Sequence, residues 1–207
     1  MALIFIKVAP YGYNTREKGL RYYAGLAAQR ISPPLLPNSQ DYILKHVKKG
    51  DLKDVKLILS SPQKRAIQTA EIIRRQFLKN TLIRVDSDLN EVPFSLEGLD
   101  SKTYSSTIAR TKFLQDFVNN TLLESTKSIK ARIKSIFKKA ERADTLLVTH
   151  TFLMKILETF VEFPDLFEST QKLRRNFTAN RRLFDYCEML TTENKIKQSL
   201  NKEKGGF

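Results

Sequence analysis

The feature that most constrains this chain lies at its start, where Leu3-Ile4-Phe5-Ile6-Lys7-Val8 runs almost continuously apolar. A short run of that kind reads as a strand buried on both faces, which happens where helices cover both sides of a parallel sheet. Val55-Lys56-Leu57-Ile58-Leu59 and Thr145 to Thr149 are runs of the same type, and Thr81 to Val85 and Arg182 to Met189 complete the expected strands. Longer segments with helical signals separate them. One spans Thr15 to Arg30, stopped by Ser32-Pro33-Pro34, and another spans Ser39 to Lys49, closed by Gly50. After the second strand, Ser61 is placed to cap a helix whose first position is Pro62 and which continues to about Leu78. Residues 109–120 and 126–142 read as two more, and a last one follows His150 to about Phe160. Short strands alternating with helices predict an α/β protein, a three-layer α/β/α sandwich around a mostly parallel sheet.

Composition narrows the class. The chain has 207 residues, 41% hydrophobic and 28% charged, which supports a globular core. The expected organisation is one α/β domain over residues 1–190 and a polar, Lys-rich tail over 191–207. A single cysteine, Cys187, excludes an internal disulfide, and two histidines, His46 and His150, give no basis for a metal cluster. No metal and no cofactor are expected. The apolar stretch Ala2 to Ile6 is too short for a signal-peptide core, and no run reaches a membrane-spanning length, so a cytoplasmic protein without membrane contact is expected. The net charge of +14 invites anionic partners: a phosphorylated small molecule, inorganic phosphate or a polyanion such as nucleic acid. Lys130, Lys134 and Lys138 form a row beside the apolar stripe of Ile129, Ile133, Ile136, Phe137 and Ala140. With Arg174, Arg175, Arg181 and Arg182 that row is the candidate polyanion surface; otherwise it is a solvated face.

Ligands of open parallel sheets bind beyond the carboxyl ends of the strands. What stands there is Lys7, then Ser60, Ser61 and Arg65, then His150. Two of these ends feed directly into helices, whose unsatisfied N–H groups favour an anion. Cations and helix starts converging on one crevice indicate a pocket of phosphate size.

Ser60-Ser61-Pro62-Gln63-Lys64-Arg65-Ala66-Ile67-Gln68-Thr69-Ala70 resembles the second-arginine motif of the histidine phosphatase superfamily, which includes the cofactor-dependent phosphoglycerate mutases. Thr145-Leu146-Leu147-Val148-Thr149-His150 resembles its second-histidine strand. Leu89-Asn90-Glu91, followed by Glu97-Gly98, is similar to the segment carrying its proton donor, one residue shorter here. Order and spacing agree over roughly residues 2–190, and the resemblance implies a phosphoglycerate mutase-like fold. The first motif departs from the pattern. Where the family's first strand ends in Arg-His-Gly, this chain has Lys7-Val8-Ala9, with Asn14 at the matching asparagine.

The resemblance implies a mechanism in which a neutral imidazole attacks phosphorus, arginines and a second histidine hold the phosphoryl oxygens, and a carboxylic acid protonates the leaving oxygen. It assigns Lys7, Asn14, Arg65 and His150 to phosphate binding, and Glu91 and His150 to whatever catalysis remains. Val8 stands in the nucleophile's place, and valine has no lone pair. The expected function is therefore a catalytically impaired phosphatase-fold protein that retains an anion pocket. The alternatives are a phosphomonoesterase of unusual mechanism, with water attacking directly, and a basic adaptor for a polyanion.

Overall fold

The computed structural model describes residues 2–11, 24–99, 106–141, 143–162 and 185–193. Five strands, β1 (Ala2–Lys7), β2 (Leu57–Ser60), β3 (Leu82–Val85), β4 (Thr145–Thr149) and β5 (Met189–Glu193), form one sheet in the order β3-β2-β4-β1-β5. β3, β2, β4 and β1 run parallel, with Leu3 opposite Thr145 and Leu57 opposite both Thr145 and Leu82. β5 is antiparallel to β1 and sets Met189 opposite Ile6 and Glu193 opposite Ala2.

Side-chain alternation along these strands builds two cores. Leu3, Phe5, Leu59 and Leu147 point to one face, where they meet α3 (Ser106–Asn119), α4 (Thr126–Ala140) and α5 (Thr151–Glu162). Ile4, Ile6, Val8, Ile58, Leu146 and Val148 point to the other, against α1 (Ser39–His46) and α2 (Lys64–Phe77). The result is the three-layer sandwich, and the stripe of Ile129, Ile133, Ile136, Phe137 and Ala140 is buried as α4's inner face. On the first face, Phe113 of α3 stacks on Phe152 of α5 at 3.7 Å and meets Phe94 edge-on at 5.3 Å. This aromatic cluster fastens the loop after β3 to the helix that follows β4.

Several local expectations are corrected. α1 stops at His46, because Val47 turns extended to bury its branched side chain, and Gly50 lies within the short 3₁₀ turn Lys49–Leu52. α2 starts at Lys64 rather than at Pro62. Gln63 occupies its cap position, and the Ser61 hydroxyl accepts the Gln63 N–H, at 3.3 Å, but no N–H of the helix itself, being engaged elsewhere. Of the helix expected over Thr15 to Arg30, residues 24–27 are helical and residues 12–23 lie outside the described ones. The turn is closed at Gln29, whose φ of 60° lets the Arg30 and Ile31 N–H groups return to the Gly25 carbonyl. A Cβ at residue 25 would run into Ile31 Cδ1, so glycine here leaves room for the Ile31 side chain.

The last strand begins at Met189, seven residues beyond Arg182. Residues 185–188 form a turn, with Cys187 at φ 55° and the Glu188 N–H bonded to the Asp185 carbonyl. β5 carries the sheet to Glu193, past the boundary at 190, and residues 194–207 lie outside the described ones. Among the described residues no helix is long and apolar enough to cross a membrane, and no group of three or more His, Cys, Asp or Glu side chains could hold a metal ion.

Phe113→Ala, which removes the centre of the aromatic cluster, is expected to lower unfolding free energy by about 3–5 kcal/mol. Urea denaturation of the two proteins side by side checks this.

Candidate functional site

Because β2, β4 and β1 are neighbours in the sheet, their carboxyl ends deliver Ser60-Ser61, His150 and Lys7 to one place. The exits are tied by backbone bonds: Val8 N–H to the Thr149 carbonyl at 3.0 Å and Ser61 N–H to that of Val148 at 3.0 Å. Thr69 of α2 receives the Ala9 N–H at 3.1 Å and donates its own proton to the Arg65 carbonyl at 2.8 Å, which locks the exit of β1 onto α2.

Ser61 is the hub. Its hydroxyl donates to Asn90 Oδ1 at 3.0 Å, accepts from the Gln63 N–H and lies 2.9 Å from His150 Nε2. A hydroxyl has one proton, and here it goes to Asn90, so His150 Nε2 carries a hydrogen and donates it to Ser61. His150 is 2% exposed. Burial, and then the positive charges of Arg65, Arg132 and Lys7, hold its pKa well below the usual 6.5, so the ring is neutral at pH 7.

Arg65 and Lys7 are both buried, and both lie over tyrosine rings. The Arg65 guanidinium is 4.7 Å from the centre of Tyr11 and Lys7 Nζ is 4.4 Å from that of Tyr186, while the two rings meet edge to face at 5.9 Å. A π face stabilises a cation without neutralising it, so these charges keep their pull on an anion. Arg65 donates to Gln63 Oε1 at 3.3 Å, and its Nε has no hydrogen-bond partner among the described residues.

Glu91 has a place of its own. Its carboxylate accepts the N–H groups of Val92 at 3.0 Å, Phe152 at 3.1 Å and Leu153 at 2.9 Å. It therefore caps the amino end of α5, the helix that begins directly after His150. Burial pushes its pKa up, against those N–H donors and Arg65, which pull it down. Gln29 Nε2 donates to the Glu91 carbonyl and fixes the segment from behind.

Of the residues expected in the site, Lys7, Arg65 and His150 share one electrostatic neighbourhood, and Glu91 borders it through Arg65. Asn14 lies outside the described residues, as do Arg174, Arg175, Arg181 and Arg182. Val8 is 1% exposed and packs in the core between the sheet and α2. Arg132, Tyr11 and Tyr186 are additions. Arg132 donates to the Asn90 carbonyl at 3.1 Å and pairs with Glu124 at 3.0 Å. Its only sequence signal is a charge next to the buried stripe of α4. Tyr186 reaches the site through the turn before β5 and carries no local signal at all. The Cys187 thiol is buried, which pushes its pKa up to about 12, so it is no substitute nucleophile.

The depressed pKa of His150 makes a testable statement about stability. The unfolded chain takes up a proton near pH 6.5 that the folded ring refuses, so this stabilisation is complete above 6.5 and is lost as pH falls toward the folded pKa. Unfolding free energy is expected to drop between pH 6.5 and about 5.5, with a slope approaching about 1.4 kcal/mol per pH unit from this group. His150→Gln, which keeps a donor toward Ser61, is expected to flatten the slope in urea melts across that range; an unchanged slope would contradict the assignment.

Comparison with known proteins agrees with this architecture. The family model of the histidine phosphatase superfamily (branch 1) matches residues 24–167, beginning after the first strand and its motif. No curated protein sequence matches the chain. Among solved structures, a mycobacterial glucosyl-3-phosphoglycerate phosphatase in complex with VO3 superposes with a TM-score of 0.63 at 15% identity, over 93% of this chain and 90% of that one. Phosphoserine phosphatase from Entamoeba histolytica, in complex with 3-phosphoglyceric acid, gives 0.58 at 18% identity over 92% and 89%. A histidine-to-alanine mutant of that enzyme, in complex with phosphoserine, gives 0.55 at 17% identity over 92% and 89%. With its family model matched over most of its length and its strand ends arranged as described, the chain belongs to the histidine phosphatase superfamily.

Proposed function

We propose that this protein binds a phosphate-sized anion, as inorganic phosphate or the phosphoryl group of a small molecule, and does not turn it over through phosphohistidine. The observation that carries this reading is the pairing of a retained cationic pocket with valine at the exit of β1. Lys7, Arg65 and Arg132 lay positive charge around a neutral His150, whose one ring hydrogen goes to Ser61, while Val8 is packed into the core. Asn14 belongs to the same proposed pocket by its place in the sequence. Loss of a catalytic nucleophile lowers turnover by several orders of magnitude. Lysine in place of arginine gives a point charge where a planar fork would hold two oxygens, which loosens the geometry without removing the attraction. The Entamoeba neighbour supports separating binding from chemistry, since its histidine-to-alanine mutant is in complex with phosphoserine.

One observation favours a second reading, direct attack by water with Glu91 as proton donor. Burial raises the Glu91 pKa, as a general acid requires. Against it, the three backbone N–H groups on the carboxylate stabilise the ionised form and hold it on α5. The first reading is the stronger.

Isothermal titration with inorganic phosphate at low salt is expected to show binding by the unsubstituted protein, and at least tenfold weaker binding by Arg65→Ala, given the strength of charge-assisted hydrogen bonds. p-Nitrophenyl phosphate should not be hydrolysed above the buffer rate. Steady hydrolysis of an alkyl phosphate such as 3-phosphoglycerate, abolished by Glu91→Gln, would replace this reading with the second, since an alkoxide leaving group needs a proton, and absence of phosphate binding would remove both.

A further inference from the structure

β3 is an edge strand, and its side chains are unusually open for the edge of an apolar sheet: Leu82 is 54% exposed and Val85 is 56% exposed. On the face toward α4 a groove of about 610 Å³ runs along this edge, with Leu57 and Leu59 beneath it and Arg84, Ser135 and Lys138 among its walls. Arg84 and Lys138 are exposed, and neither forms an ion pair with a described residue. Lys139, by contrast, is paired with Asp86 and Asp88, each at 2.7 Å. Lys134 lies one turn before Lys138, exposed on the same helix. Thus a backbone edge to which no described strand pairs, an open apolar side chain on each of its faces and a basic wall lie along one strand, with β2 between it and the β4 end that carries His150.

We propose that the outer edge of β3 takes up an extended acidic peptide as a sixth strand of the sheet. Backbone pairing to β3 supplies the register. Alternation along the added strand then turns one set of its side chains toward the face of Leu82, Arg84 and Lys138 and the other set toward that of Ile83 and Val85. The first set is acidic and the second apolar. A charge on a short edge is also a common barrier to unwanted pairing. Here its sign discriminates: with a net charge of +14, two copies meeting at this edge would bring Arg84 and Lys138 against their own kind, whereas an acidic strand is attracted. Nucleic acid would satisfy the cations but not the ladder or the apolar pair, so a peptide fits the surface better.

The test uses the full chain and a fluorescent ten-residue peptide of alternating Glu and Val, with fluorescence anisotropy for affinity and amide hydrogen exchange for location. Binding is expected to slow exchange at residues 82–85 and to weaken at least tenfold in the double variant Arg84→Glu with Lys138→Glu. The control double variant Lys45→Glu with Lys48→Glu, which makes the same charge change at exposed positions on α1 and just after it, is expected to bind within about twofold of the unsubstituted protein. Equal weakening in both doubles, or binding that leaves 82–85 exchanging freely, would overturn the proposal in favour of diffuse attraction. So would tighter binding of an oligothymidylate with the same dependence on Arg84 and Lys138, or β3 amides already protected in a self-associated protein. Because phosphate binding reads a separate site, its success or failure leaves this outcome unaffected.

Discussion

Everything in this molecule depends on β4. All five of its residues are buried, and it makes parallel ladders with β2 on one side and β1 on the other. A central strand so enclosed must satisfy its N–H and C=O groups within the sheet and bury apolar side chains on both faces. Leu147 does so on one side, and Leu146 and Val148 on the other. That requirement aligns three carboxyl ends, so Lys7, Ser61 and His150 are neighbours as a consequence of sheet order and need no separate device.

The polar groups at those ends are arranged so that burial is tolerated. His150 remains neutral, and Ser61 satisfies it while tying it to Asn90. Lys7 and Arg65 rest on tyrosine faces, an arrangement that lowers the penalty of burying a charge. Glu91, which borders the site through Arg65, is turned onto the amino end of α5. The positive charges of Lys7, Arg65 and Arg132 therefore act together on His150, a field that favours an anion. On the proposed reading phosphohistidine chemistry lacks its first participant, because Val8, packed in the core on the α2 side of the sheet, stands at the exit of β1.

What was legible in the sequence is what local pattern dictates. The strands β1, β2 and β4 read directly from their apolar runs, because burial on both faces leaves little room for polar residues. The buried stripe of α4 reads from helical spacing, and the positions of Lys7, Arg65 and His150 follow from strand ends. Features set by distant partners did not read. Ser61 looks like a helix cap until His150 and Asn90, far away in the chain, compete for its hydroxyl, and the start of α2 moves accordingly. Glu91 looks like a free acid until its reach to Phe152 and Leu153 is seen. Tyr186 and the start of β5 depend on a left-handed Cys187, a conformation that a non-glycine residue adopts only when its surroundings impose it.

The central claim, an intact anion pocket lacking only its nucleophile, is tested most directly by restoring the first motif in the triple variant Lys7→Arg, Val8→His and Ala9→Gly. The measurement is hydrolysis of p-nitrophenyl phosphate, whose leaving group departs readily without a proton from Glu91. The account predicts turnover by the triple variant that is lost again on adding Arg65→Ala, and none above buffer in the unsubstituted chain. Comparable turnover in the unsubstituted chain, abolished by His150→Ala, would contradict it.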